Sequence, residues 1–281
     1  VSLEKRNLAL RVLVAVIGIP IILSLLLSGE WGVVLFAALL TILGAWEWAD
    51  LCGLRRMTGL YVLGIAGPAL LLAAMRFGGA EGWMLGAFLL VLLAFVFGFA
   101  GPWHEAGAVR SIGATITGIF YIGLFSLMIP ISRGNASVLA ADGRRLLAAA
   151  LFMIWLCDTL AYFGGTAWGR HRLAPRISPK KSWEGAAFGF VGAVLGALVA
   201  WLVLRPDALG LRELLALGAV IGVVGQVGDL AESVIKRDVG VKDSSNLLPG
   251  HGGVLDRFDS FVFSLPVLFA WLKVRPWLFG T

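Results

Sequence analysis

The sequence predicts an all-α polytopic membrane protein with about nine transmembrane helices and a polar, cytoplasm-facing site formed by the C-terminal ones. Three observations predict it. Of 281 residues, 59% are hydrophobic and 14% charged, and the mean hydropathy is +0.91, far outside the soluble globular range. Apolar runs of roughly 20 residues, the length a bilayer core requires, recur along nearly the whole chain. The polar chemistry is concentrated in the second half, around 158–185 and 226–259.

The runs fall near 8–28, 32–51, 58–75, 82–100, 111–131, 146–168, 185–204, 213–235 and 259–275. Helices are the expected form, because lipid cannot satisfy open backbone groups and no short alternating strands of a barrel occur. Pro266 interrupts the last run, and Lys273 and Arg275 close it early. Trp31, Trp83, Trp103, Trp168, Trp183 and Trp277 stand near run ends, where an aromatic belt is expected. The connection from Ser132 to Arg145, with Gly134, Asn135, Asp142 and Gly143, reads as an exposed loop.

Basic residues set the orientation. With Lys5 and Arg6 in the cytoplasm, the densely basic connections after the sixth and eighth runs also face it, as the positive-inside rule favours. The net charge of +6 is divided among short loops, so the expected partners are anionic membrane lipid or a phosphorylated substrate, with no nucleic acid. Cys52 and Cys157 sit in or beside apolar runs and indicate neither a disulfide framework nor a thiolate metal site. In the first half, Glu47 and Asp50 form an i, i+3 pair near a run end, a cheap place for charge, and read as interfacial or structural. The expected division is 1–131 as a scaffold, with lipid-access or dimer surfaces, and 132–281 as the catalytic region.

Within 132–281, Gln226, Asp229, Glu232, Ser233, Lys236 and Arg237 recur at offsets of three and four, which gives one polar helix face. Asp229 lies about two turns inside the run end, where an unpaired carboxylate is costly. The bland alternative is a neutralised helix end with Asp229 paired to Lys236. Asp256, Asp259 and Ser260 share a face of the next helix if it starts near Leu255. Carboxylates without Cys ligands suit a hard cation such as Mg²⁺. Between these helices Gly250, Gly252 and Gly253 permit positive φ and close approach, so that backbone N–H groups can converge on an anion, with His251 and Arg257 adding donors.

In the other polar segment, Asp158 and Tyr162 are an i, i+4 pair in an apolar helix, and Lys180 and Lys181 stand between Pro179 and the capping sequence Ser182-x-x-Gly185. There is no G-x-x-x-x-G-K-[ST], H-E-x-x-H or G-x-S-x-G, which argues against a P-loop ATPase and a lipase.

These residues resemble a known family, phosphatidate cytidylyltransferase, also called CDP-diacylglycerol synthase. With h for apolar, its signature reads S-x-h-K-R-x4-K-D-x-small-x2-h-P-x-H-G-G-h-x-D-R-h-D. Ser233, Lys236, Arg237, Lys242, Asp243, Pro249, His251, Gly252, Gly253, Asp256, Arg257 and Asp259 match it. The D-x-x-A-Y segment at Asp158 to Tyr162 and S-P-K-K-S-x-E-G at Ser178 to Gly185 are also similar to the family's. The first half matches only as generic spans. The resemblance implies CMP transfer from CTP to phosphatidic acid, giving CDP-diacylglycerol and pyrophosphate for phospholipid biosynthesis, in the bacterial inner membrane, by a homodimer. It implies Mg²⁺, with or without a second cation. Asp229, Asp256, Lys180 and Lys181 would then be catalytic, and Asp229 and Asp256 would anchor the cation with Asp243 and Asp259 beside them. Asp158, Tyr162, Ser233, Lys236, Arg237, Lys242, His251, Gly252, Gly253 and Arg257 would bind substrate. A secondary transporter using the same acids would predict broken helices in paired repeats, which are not evident. The D-G-x2-A-R pattern of a CDP-alcohol phosphatidyltransferase is absent.

Overall fold

The computed structural model describes residues 16–101, 107–134, 140–207, 209–247 and 252–279. His251, expected in the anion loop, lies outside the described residues, as do Lys5, Arg6, Trp103, Asn135, Pro249, Gly250 and the opening of the 8–28 run. Among the described residues the regular structure is α-helix, with short 3-10 turns and one two-stranded hairpin. The helices are α1 (Val16–Leu27), α2 (Glu30–Leu51), α3 (Thr58–Ala100), α4 (Ala108–Gly123), α5 (Met128–Arg133), α6 (Ala140–Trp168), α7 (Trp183–Leu204), α8 (Leu211–Asp238) and α9 (Leu255–Phe279). Seven are long and apolar enough to cross a membrane, with α4 and α5 counted as one across a 3-10 turn at Leu124–Leu127. The chain is an all-α polytopic membrane protein.

It divides into two compact units, and the division does not follow one cut in the sequence. The first unit comprises Val1–Ile22, Val34–Pro130 and Val239–Arg257. Its α3 has 43 residues, which at 1.5 Å per residue is about twice the thickness of a bilayer core. Gly79 resolves the excess: with φ 61° and ψ −149° it adopts a backbone open to glycine, and the helix folds back on itself there. Gly59 faces Phe97, Gly67 faces Leu90, and Gly86 faces Leu71 and Ala74. The separate runs expected at 58–75 and 82–100 are the two arms of this hairpin. Met57, Leu60, Leu90, Ile112 and Ile119 form its core with α4. The Trp48 indole locks α2 to α4 by donating to Ala114 O at 2.9 Å.

The second unit comprises Leu23–Val33, Ile131–Asp238 and Phe258–Thr281. Its helices meet through small residues, as expected where lipid provides no hydrophobic drive between helices and close backbone approach supplies the packing. Gly185, Gly189, Gly192 and Gly196 line one face of α7 and lie against the α6 backbone at Ala161, Cys157, Leu156 and Phe152. Gly218 and Gly222 of α8 fit against Ala197 and Ala193, and Gly225 and Gly228 against Ser260, Asp259 and Phe263 of α9.

Three expectations need correction. Asp142 to Arg145 are not loop but part of the first two turns of α6, where Asp142, in the first, favours the helix dipole. Asp142 is buried and accepts from Arg145 at 2.8 Å and from the Asp207 N–H at 3.1 Å. The connection from α6 to α7 is an antiparallel hairpin, β1 (Arg172–Ala174) and β2 (Ser178–Ser182), where only irregular chain was expected. Finally, α9 runs through Pro266 to Phe279, and Arg275 is not an end charge. It is 1% exposed, with Nε 2.5 Å from Glu213 Oε1 and Nη2 3.0 Å from Oε2, and Trp271 Nε1 donates to the same carboxylate at 3.2 Å.

Candidate active site

The polar stripe of α8 forms as its spacing predicts, but its pairing differs from the neutralised-end alternative. Lys236 lies one turn from Glu232 and donates to its Oε2 at 2.7 Å, with both side chains buried. Asp229, two turns away from Lys236, pairs with Lys181, whose Nζ is 2.6 Å from Asp229 Oδ2. Ser233 Oγ reaches Asp229 Oδ1 at 3.4 Å. Asp259 of α9 is 8% exposed, with its backbone carbonyl against Gly228 of α8. Asp158, next to the buried Cys157 on α6, is exposed. Lys181, Asp229, Glu232, Ser233, Lys236 and Asp259 are thus brought into one polar region of the second unit. Tyr162 is 69% exposed and packs edge-on against Phe163.

The hairpin explains how Lys181 is aimed. Ser182 caps α7 by accepting the Gly185 N–H at 3.1 Å, as its spacing predicts. Glu184, in the first turn of α7, accepts the backbone N–H groups of Arg170 and His171 and contacts His171 Nδ1 at 2.6 Å. The Trp183 N–H donates to His171 O at 2.9 Å, which closes the hairpin. Arg237 Nε donates to Ile177 O at 3.1 Å and so braces the hairpin turn against α8. Successive strand residues point to opposite faces. Lys181 therefore turns to Asp229 while Lys180 is exposed, so the two lysines are not an equivalent pair.

The remaining expected residues belong to the first unit. Asp256 Oδ2 accepts from the Ser244 N–H at 2.9 Å, the Ser244 hydroxyl at 3.0 Å and the Gly253 N–H at 2.8 Å. Gly252 has φ +82°, the positive value its sequence context predicts. The glycine loop does turn N–H groups onto anions, and the ones that bind Gly253, Val254 and Leu255 are the chain's own carboxylates, Asp256 and Glu47. Lys242, Asp243 and Arg257 are exposed. Asp243 borders a cavity of about 310 Å³ whose wall includes Trp46, Glu47, Asp50, Ser244 and Ser245. Asp50 pairs with Arg55 at 2.5 Å, and this hydrogen bond raises the Arg55 pKa further above its ordinary value.

Glu47 of α2 is not interfacial but structural, the other half of its expected reading: it is fully buried and accepts four hydrogen bonds from residues 244–255. Its i, i+3 spacing to Asp50 was the one local sign of it.

Among the described residues no three acidic, histidine or cysteine side chains converge as a preformed metal cage. The oxygen donors nonetheless suit Mg²⁺, which keeps several waters and binds through one or two carboxylates together with substrate phosphates.

The sequence matches the cytidylyltransferase family over residues 9–275. A phosphatidate cytidylyltransferase of Pseudomonas aeruginosa is 38% identical over 95% of this chain and 97% of its own length. Proteins of the same name from Brucella abortus and Staphylococcus haemolyticus are 35% and 33% identical, over 94% and 92% of this chain and 92% and 96% of their own lengths. With a family match across nearly its whole length and relatives that align end to end, the chain belongs to the cytidylyltransferase family, a family of nucleotidyltransferases.

Proposed function

We propose that this chain transfers CMP from CTP to phosphatidic acid, releasing pyrophosphate and forming CDP-diacylglycerol. The observation that carries the reading is the ion pair between Lys181 and Asp229, which joins the S-P-K-K-S-x-E-G segment to the polar face of α8. The names of the relatives support the substrates.

The chemistry asks little of a general base. A phosphate monoester has a second pKa of about 6, so the lipid phosphate is already a dianion for much of its time at neutral pH. One of its oxygens forms a bond to the α-phosphorus of CTP, and the bond from that phosphorus to the bridging oxygen of the β-phosphate breaks. The electron pair leaves with pyrophosphate. Catalysis is then positioning and charge neutralisation. Lys180, Lys181, Arg237, Lys242 and Arg257 supply positive charge for the triphosphate and the lipid headgroup. Ser233, Lys236, Asp158 and Tyr162 complete the substrate-binding set, with His251, Gly252 and Gly253 shaping the phosphate loop. Asp229 and Asp256 would hold Mg²⁺, with Asp243 and Asp259 as outer ligands or orienters. The bound ion would neutralise charge on the phosphates. The shared signature, rather than a distance, assigns these acids to one reaction.

The division of labour that we propose puts the catalytic side chains in 132–281 and leaves 1–131 to scaffold, lipid access and dimer contacts. We further propose that the site lies on the cytoplasmic face of a bacterial inner membrane, an orientation that the excess of basic residues in alternate connections supports.

The experiment is pyrophosphate release by the purified chain in lipid nanodiscs, given CTP and phosphatidic acid with and without Mg²⁺, with the lipid product weighed by mass spectrometry. Mg²⁺-dependent formation of CDP-diacylglycerol is expected. Solute flux in liposomes without CTP turnover would assign a transporter instead.

A further inference from the structure

Glu47 makes more contacts than an interfacial acid needs. It is 0% exposed, yet donors from a segment 197 to 208 residues later converge on its carboxylate. Ser245 Oγ at 2.6 Å and the Val254 N–H at 2.8 Å meet Oε1, and the Leu255 N–H at 2.9 Å and Ser244 Oγ at 3.2 Å meet Oε2. A buried carboxylate is costly unless its lone pairs are filled in this way. Val254 and Leu255 open α9, so Glu47 does from another helix what a capping side chain does locally, with its charge at the positive end of the helix dipole.

The same cluster reaches Asp256. The Ser244 hydroxyl lies 3.2 Å from Glu47 Oε2 and 3.0 Å from Asp256 Oδ2. A hydroxyl has a single proton to donate, so two carboxylates share it. Where Glu47 holds Ser244 therefore fixes where Asp256 finds its donors. The fit has no slack, because a Cβ on Gly253 would run into Ser244 Oγ and both oxygens of Glu47.

We propose that Glu47 is a positioning residue for CMP transfer: through Ser244 it orients the Asp256 carboxylate for uptake of the divalent cation. The inference rests on the proposed function and on the role of Asp256 in it.

The test compares the purified full chain with its Glu47→Gln and Ser244→Ala variants in three measurements. These are Mn²⁺ binding without substrate by electron paramagnetic resonance, the Mg²⁺ dependence of pyrophosphate release, and thermal unfolding. Glu47→Gln is expected to weaken Mn²⁺ binding about 10-fold or more, the scale of losing a partner behind a metal ligand. The half-saturating Mg²⁺ concentration should rise with it, and turnover should largely recover at saturating Mg²⁺. Ser244→Ala breaks the link to Asp256 but leaves the Val254 and Leu255 N–H groups on Glu47, and should shift Mn²⁺ binding in the same direction with little change in unfolding temperature. Unchanged Mn²⁺ affinity in folded Ser244→Ala overturns the proposal even if Glu47→Gln does not fold. A loss that only tracks the folded fraction overturns it as well and leaves Glu47 a helix cap. A wild-type chain that binds Mn²⁺ but releases no pyrophosphate refutes the reaction alone, and the Mn²⁺ comparison still judges Glu47.

Discussion

Lys181 of β2 and Asp229 of α8 form an ion pair 2.6 Å long, and both side chains keep partial access to solvent, at 27% and 34%. A fully buried pair would be a structural clasp. A half-open one leaves an ammonium and a carboxylate accessible, as the proposed CMP transfer would need if they are to take a phosphate and a cation.

The two lysines should therefore behave differently. Lys181→Ala removes the cation nearest Asp229 and is expected to lower kcat on the order of 100-fold, the scale of losing one group that stabilises developing charge. Lys180→Ala, on the opposite face of the strand, should mainly raise the KM for CTP. Steady-state kinetics on folded, purified variants decide this, and equal losses of kcat in both would refute the distinction.

Metal removal gives a second expectation. Chelation by EDTA should abolish turnover, and added Mg²⁺ should restore it. Asp229→Asn, similar in shape but uncharged, should lose about 100-fold or more in Mg²⁺-dependent activity while its unfolding temperature stays near that of wild type. Retention of most activity by folded Asp229→Asn removes this residue from the cation site.

The α6–α7 seam predicts a stability effect remote from the charged residues. A Cβ on Gly192 would strike the Leu156 carbonyl, so Gly192→Val should cost about 1–3 kcal/mol and lower the unfolding temperature in detergent. Gly113 has open space where its Cβ would go, and Gly113→Ala should leave stability unchanged or raise it slightly, since alanine is the better helix former. Similar losses in the two variants would mean that the seam does not depend on backbone contact.

Much of this could be read from the sequence, and the rest could not for identifiable reasons. The helices are legible because a run long enough to cross a bilayer has no other stable form, and α3 shows as two runs because its turn at Gly79 lies between them. The stripe from Gln226 to Arg237 is legible because its offsets are local. β2 is not, because Ser178-Pro179-Lys180-Lys181-Ser182 has no apolar alternation and is held by Glu184 and the His171 carbonyl. Glu47 is hidden for a different reason: all four of its donors lie about 200 residues downstream, and nothing near it in sequence announces them.

Arg275 provides the last expectation. In sequence it reads as the basic end of a span, yet it is buried near the end of α9 against Glu213 at the start of α8, with Trp271 donating to the same carboxylate. Removing one member of such a pair strands a charge, so Arg275→Met alone should destabilise by about 3–5 kcal/mol. Replacing both members, Glu213→Leu with Arg275→Met, removes the stranded charge and should recover most of that loss, because buried pairs exchanged for apolar side chains of similar volume are often neutral or better. Urea or thermal unfolding of the two single variants and the double variant in the same detergent measures the coupling. If the double variant is as unstable as the sum of the singles, the pair contributes through packing around each side chain and not through its charges.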